Sequence, residues 1–316
     1  MIDVVALGEL LIDFATQSTD NEGYPTMAAH PGGAPANFLA ALTKFGAKTA
    51  LLGKVGSDTF GKLLIGTLEK AGISTQGLAV TDDVFTTLAF VTFDEHGDRE
   101  FAFSRKPGAD TCITFEELDL SLIDEAKVFH FGTLSLTDEP ARSATYRAVE
   151  YAKARGKLIT YDPNLRKPLW ADLEEAKKQL IWGLGQADVV KISDEEVEFL
   201  FGLGVEDGAK HILENFGVKL VFVTCGAEGC FFKNANAEGK VPSLSGIHVI
   251  DTTGAGDIFG GSAVWKLLQN GKAPEALSLE ELTDIVRFAC TSAGLSTIRS
   301  GGISSVPEYN DVIERM

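Results

Sequence analysis

Two short glycine-rich stretches carry the residues of this sequence best suited to chemistry on an anion. In Asp251-Thr252-Thr253-Gly254-Ala255-Gly256-Asp257, residues 254–256 have almost no side chains, so their backbone N–H groups can come close to a ligand. An apolar-periodic segment from about Ile258 to Leu268 predicts a helix immediately afterwards. The glycines therefore lie where unpaired helix donors and the positive end of the dipole meet, which makes an anion hole. Asp257 falls in the first helical turn, where the dipole favours an ionised carboxylate beside the anion's place. A base there can take a proton from an alcohol attacking a phosphoryl group. The same four residues would also serve a tight turn with a capping carboxylate. The second stretch, Pro31-Gly32-Gly33-Ala34-Pro35-Ala36-Asn37, precedes the first helix. Its paired glycines allow close backbone approach, and Asn37 offers a donor and an acceptor to a polyol. With Asp13 after the first strand and Arg105 near the end of a hairpin, Asn37 completes a carboxylate, amide and guanidinium set of the kind that binds carbohydrate.

These groups need a scaffold that brings residues 13, 37, 105 and 257 to one cleft, and the apolar patterning supplies one. Short β-branched and apolar runs at Ile2–Leu7, Thr49–Val55, Lys127–Phe131, Lys157–Tyr161, Asp188–Ile192 and Lys219–Thr224 alternate with helix-period segments. Those segments include Ala34–Phe45, Thr59–Ala71 with Gly72 as C-cap, Ala141–Ala154 and Leu173–Leu184. Repeated strand–helix units predict a parallel sheet sandwiched by helices. Phe85–Phe93 and Arg99–Phe103 break the rhythm. Joined by the polar turn Asp94-Glu95-His96-Gly97-Asp98, they predict a hairpin. A hairpin inserted into an open parallel sheet can be an ordinary edge or a lid over the carboxyl ends of the strands, where such sheets bind ligands. The expected layout is one α/β domain over residues 1–316, with lid insertions near 10–30 and 84–106.

Composition narrows the function. The 316 residues are 45% apolar and 23% charged, as in a globular chain, and the net charge of −17 with no Lys/Arg run disfavours nucleic acid and anionic lipid. No apolar run reaches the ~20 residues of a membrane span. Cys112, Cys225, Cys230 and Cys290 lack C-x-x-C or zinc spacing and are read as reduced thiols, and the amino terminus lacks a basic leader, so a cytoplasmic protein is expected. There is no G-x-x-x-x-G-K-[ST], no H-E-x-x-H and no G-x-S-x-G, and the five histidines are scattered singly.

Gly32-Gly33-x-x-x-Asn37 together with Asp251-Thr-Thr-Gly-Ala-Gly-Asp257 resemble the two signatures of the ribokinase-like (PfkB) carbohydrate kinase family. Asp162-Pro163-Asn164-Leu165-Arg166 with Leu169-Trp170, Val190-Lys191-Ile192-Ser193-Asp194-Glu195-Glu196 and Val223-Thr224-Cys225-Gly226 resemble further family segments in the right order. The resemblance implies a central, mostly parallel sheet flanked by helices, a small β-sheet lid, ATP and Mg2+. It makes Asp257 the general base and the Gly254, Ala255, Gly256 and Asp257 amides the stabilisers of the transferred phosphoryl group. It also places Arg166 near the phosphates, and Asp13, Gly32, Gly33, Asn37, Arg105 and Asp257 at the acceptor sugar. Lys191, Ser193, Thr224, Gly226 and Gly256 fall on the nucleotide side. Glu196 matches the acid of an N-x-x-E motif that organises magnesium through water, although Ser193 stands where the motif usually has Asn. Asp251, Thr253, Ser296, Arg299, Gly301 and Ser305 resemble loops that hold a monovalent cation such as K+.

Within the family, Gly97-Asp98-Arg99-Glu100-Phe101, Arg105-Lys106-Pro107-Gly108-Ala109-Asp110 and the segment Asp162–Trp170 look most like fructokinases. The implied reaction moves the γ-phosphate of ATP to the 6-hydroxyl of D-fructose. A 2-keto-3-deoxygluconate kinase is the rival, because Arg105 could pair with a substrate carboxylate. A riboside kinase and a non-catalytic sugar-binding regulator are more distant alternatives. The resemblance also implies a homodimer formed through the lid.

Overall fold

The computed structural model describes residues 2–93 and 99–316. Along the chain the strands are β1 (Val4–Leu7), β2 (Leu11–Thr19), β3 (Pro25–Gly32), β4 (Thr49–Gly56), β5 (Leu78–Thr81), β6 (Leu88–Phe93), β7 (Arg99–Ser104), β8 (Val128–Gly132), β9 (Leu158–Asp162), β10 (Val189–Ser193), β11 (Leu220–Thr224), β12 (Cys230–Asn234) and β13 (Glu238–Val241). The helices are α1 (Ala34–Lys44), α2 (Thr59–Ala71), α3 (Leu120–Glu125), α4 (Ala141–Ala154), α5 (Leu173–Leu184), α6 (Asp194–Phe201), α7 (Val205–Phe216), α8 (Ala255–Asn270), α9 (Leu279–Ser296) and α10 (Tyr309–Arg315).

Nine strands form one sheet in the order β13-β12-β11-β10-β9-β8-β1-β4-β5. Every pairing from β11 to β5 is parallel, and only the β11-β12-β13 edge runs antiparallel. All residues of β1 and β4 are buried, which is why those strands read as unbroken apolar runs rather than as alternation. From β1 the chain winds first toward β4 and β5, then returns to β8 and proceeds through β9 and β10 to β11. The order therefore reverses between β1 and β8, and ligands bind at such a point beside the carboxyl ends of the strands.

A separate four-stranded sheet, β3-β2-β6-β7, stands over that end. Strand β6 pairs antiparallel with β7 from Leu88↔Ser104 to Phe93↔Arg99, as a hairpin requires; the expected turn at residues 94–98 lies outside the described residues. Phe14, on one face of β2, stacks on Phe90 at 5.3 Å and meets Phe60 of α2 edge-on at 5.5 Å. Alternation along β2 turns Asp13 to the opposite face.

Helix α2 has the expected bounds. Asp58 caps its first amides at 2.8 and 3.0 Å, and Gly72 closes it in the left-handed conformation. Helix α8 starts earlier than the apolar pattern suggested, at Ala255. Its first three residues, Ala255, Gly256 and Asp257, carry little hydrophobic signal.

Candidate active site

The site begins with two helices pressed unusually close. Gly261 of α8 lies against the Phe38 carbonyl of α1, where any side chain would overlap. That approach puts Asn37 opposite Asp257, and Asn37 Nδ2 donates to Asp257 Oδ2 at 2.9 Å in a buried contact. Burial pushes the Asp257 carboxyl above its ordinary pKa, while the Asn37 hydrogen bond, Lys191 and Arg166 pull the other way. Such a carboxylate is a better proton acceptor than a solvated one.

Gly254 precedes α8 at φ 76°, and a methyl group there would sit 2.9 Å from the Gly302 Cα, so the turn requires glycine. The amides of this turn divide. Ala255 N donates back to the Thr252 carbonyl at 3.2 Å, so the tight turn removes it from the expected anion-binding set. Among the described residues, the Gly256 and Asp257 amides find no acceptor in the chain and remain at the helix start for an anion. Arg166 reaches the same cleft. Among the described residues its side chain makes one hydrogen bond, from Nη1 to the Leu165 carbonyl at 3.3 Å, and its charge acts on both Asp13 and Asp257.

Below this turn lies an ion pair that the sequence did not announce. Lys191 Nζ is 3.0 Å from Asp162 at the end of β9, and a methyl on Gly256 would lie 3.1 Å from that nitrogen. Burial opposes the ammonium charge, yet Asp162, Glu196 and Asp257 together hold the Lys191 pKa above its ordinary value. Lys191 thus carries its charge beneath the glycine turn, paired with Asp162. His130 belongs to the packing beneath. It stacks on Phe38 at 3.7 Å and meets Thr160 at 3.0 Å, and burial lowers its pKa to about 3, so it stays neutral.

Ser193 and Glu196 form a capping box on α6, a signal that the Ser-x-x-Glu spacing also carries. The Ser193 hydroxyl accepts from Glu196 N at 3.1 Å. Glu196 Oε2 accepts from Ser193 N at 2.8 Å, and its Oε1 from Leu165 N at 2.7 Å. Each carboxylate oxygen has a second lone pair left for water. Ser193 and Thr224 are register partners at the ends of β10 and β11, and Gly226 opens the next turn at φ 50°.

The loops expected to hold a cation do come together. Asp251 Oδ1 accepts from Thr253 N and Oγ1 at 2.9 and 2.7 Å, and Oδ2 from Gly301 N at 3.1 Å. The Ile250 and Asp251 amides both donate to the Thr297 carbonyl. The Ser296 and Ser305 hydroxyls donate to the Ala293 and Gly302 carbonyls, which leaves their oxygen lone pairs and the backbone carbonyls for an ion, and the Arg299 side chain is exposed. No cluster of three or more His, Cys, Asp or Glu side chains among the described residues is set to hold a metal.

At the acceptor end, the Asp13 carboxylate leans over Gly32. Burial raises its pKa to about 6, with Arg166 opposing and Asp257 and Asp251 adding to the rise. Gly33 ends the strand at φ 120° against the Glu9 carbonyl, and Glu9 Oε1 accepts from Ala34 N at 2.8 Å to fix the start of α1. Arg105 differs from expectation. Its Nη2 meets Asp110 at 2.7 Å and the Leu134 carbonyl at 2.8 Å, Nε meets Asp110 at 2.9 Å, and Nη1 meets Thr137 at 2.8 Å. The side chain is 2% exposed. All three guanidinium nitrogens hydrogen-bond within the chain and the charge is paired with Asp110, which leaves little of Arg105 open to an acceptor.

The nine-stranded, mostly parallel sheet flanked by helices is the fold the sequence signatures implied, and residues 1–309 match the family profile described as pfkB family carbohydrate kinase. The chain belongs to this family. Among pfkB relatives it is 41% identical to fructokinase-2 of Solanum lycopersicum over 317 residues, covering 98% of this chain and 94% of that protein. The structure of a fructokinase from Xylella fastidiosa with bound ATP superposes with a TM-score of 0.91 at 30% identity, over 99% of this chain and 98% of the other. A Vibrio cholerae O395 fructokinase in its fructose, ADP and calcium ion bound form gives 0.86 at 30% identity, over 99% of each chain.

Proposed function

We propose that the chain is an ATP-dependent fructokinase, transferring the γ-phosphate of ATP to the 6-hydroxyl of D-fructose. The observation that carries the chemistry is Asp257, buried, oriented by Asn37 and set beside the unpaired Gly256 and Asp257 amides. Asp257 accepts the hydroxyl proton as the sugar oxygen bonds to phosphorus, and the bond to the bridging oxygen breaks to release ADP. The Gly256 and Asp257 amides and the Arg166 guanidinium stabilise charge on the phosphoryl oxygens.

The neutral sugar is favoured by what faces the acceptor end. Asp13 is a carboxylate and the Arg105 charge is already paired with Asp110, so a sugar acid would meet a like charge with little compensation from Arg105. This favours a ketose over 2-keto-3-deoxygluconate. The nucleotide belongs along the ends of β10 and β11, near Ser193, Thr224 and Gly226. Magnesium fits at Glu196 only through water, since both carboxylate oxygens already accept backbone amides. It would supply charge neutralisation at the phosphates. A monovalent cation fits the Asp251 and Gly301 loops through carbonyls. The four-stranded sheet acts as the lid, and its edge strands β3 and β7 are where a second copy would pair.

The test is ADP release from ATP and magnesium with a panel of sugars, with and without potassium. Fructose turnover far above that of ketodeoxygluconate is expected, and the reverse order would overturn the assignment. Light scattering after size exclusion reads the dimer, and a monomer mass would remove the lid-to-lid pairing.

A further inference from the structure

The histidines gave no signal in the sequence, yet one of them stands in the acceptor cleft with an unmet hydrogen-bonding atom. His30 lies on β3 directly across from Asp13 in the antiparallel register, so both side chains project from the same face of the small sheet. Its Nε2 is buried and has no hydrogen-bond partner among the described residues. The ring rests beside the turn at Gly301, where an added methyl would lie 3.7 Å from Nδ1. The same turn touches two other site residues: Gly301 N donates to Asp251, and Gly302 packs on the Asn37 amide. Asn37 Oδ1 is likewise buried and unpartnered. A strand partner of the acceptor carboxylate and the amide that orients the base thus each keep one open valence, on two sides of one glycine turn.

Leaving a buried polar atom unpaired is costly, and such atoms call for a partner that the chain alone does not provide. A hydroxyl suits both, because it donates and accepts and so matches either imidazole tautomer as well as an amide oxygen. We propose that His30 is a specificity-determining residue, its Nε2 hydrogen-bonding one hydroxyl of the acceptor sugar alongside Asp13. This rests on the sugar-kinase reading above and names a residue that reading did not include. His30 selects for a hydroxyl at one position of the acceptor; the bond-making chemistry stays with Asp257.

The test compares His30→Ala and His30→Gln, the latter keeping a polar nitrogen near the position of Nε2. KM is measured on whichever sugar of the panel the wild-type enzyme phosphorylates best, and on its mono-deoxy analogues. His30→Ala should raise the sugar KM roughly tenfold, the loss of one hydrogen bond to an uncharged group, with the ATP KM unchanged. His30→Gln should recover much of that loss. One deoxy analogue should be used about equally well by wild type and His30→Ala, identifying the hydroxyl. An unchanged sugar KM in His30→Ala would overturn the proposal. So would an equal rise in both KM values together with a fall in melting temperature, because that marks a packing role. A wild-type enzyme that phosphorylates other sugars but not fructose strikes the fructokinase assignment and leaves this test intact.

Discussion

The glycine turn at the start of α8 and the Asp13 face of the small sheet are built by different means. At the turn, the chemistry sits in consecutive residues: Gly254 sets the backbone, Gly256 and Asp257 present amides, and Asp257 supplies the carboxylate. On the small sheet, Asp13 and His30 are 17 positions apart and meet only through the β2–β3 register, while Arg105 from the end of β7 is consumed by Asp110, Thr137 and Leu134. The proposed phosphoryl-transfer centre is therefore fixed by local backbone geometry. The proposed acceptor face depends on pairings between segments, and these can change without disturbing the first.

The largest effect that could break this contrast is expected at the turn. Asp257→Asn keeps the shape and the contact with Asn37 but removes the base, and kcat should fall by about 10²–10⁴-fold with ATP binding retained. Wild-type turnover in a coupled ADP assay would end the division of labour.

Arg105→Ala sharpens the contrast from the other side. It leaves Asp110 buried without its cation, so the main loss should be in folding stability, about 3–5 kcal/mol by denaturant unfolding. A stable variant with a sugar KM raised far more than the ATP KM would return Arg105 to the acceptor pocket.

The smallest expected effect is in the pH profile. Asp257 must be unprotonated to act, and burial raises its pKa, so kcat should rise with pH along an acid limb whose midpoint lies above the usual aspartate value of 3.8. The residual rate of Asp257→Asn should lack that limb. A limb shared by both proteins would assign the titration to another group.

Local rules made much of the scaffold legible. The bounds of α2, α4 and α5 follow from apolar period and capping, and the parallel strands from repeated apolar runs. The glycine turn before α8 was readable because Gly254, Gly256 and Asp257 are neighbours in the chain. What escaped is non-local or ambiguous. The antiparallel edge strands β12 and β13 join a sheet whose other crossovers are helical. The fate of Arg105 depends on partners from three other places, and the ion pair of Lys191 with Asp162 joins two strand ends 29 residues apart. Ser193-x-x-Glu196 shows one motif serving two readings. Its spacing suits a capping box as well as a magnesium-organising acid, and only coordinates reveal that backbone amides already occupy both carboxylate oxygens.

The contact of Gly261 with the Phe38 carbonyl has a reach beyond packing. It is formed by main chain against a bare α-carbon, so the span between the amide on one helix and the base on the other works as a fixed ruler. Side chains around the cleft can be exchanged to suit a different acceptor while that ruler stays put, which lets the substrate vary and keeps the proton's destination constant.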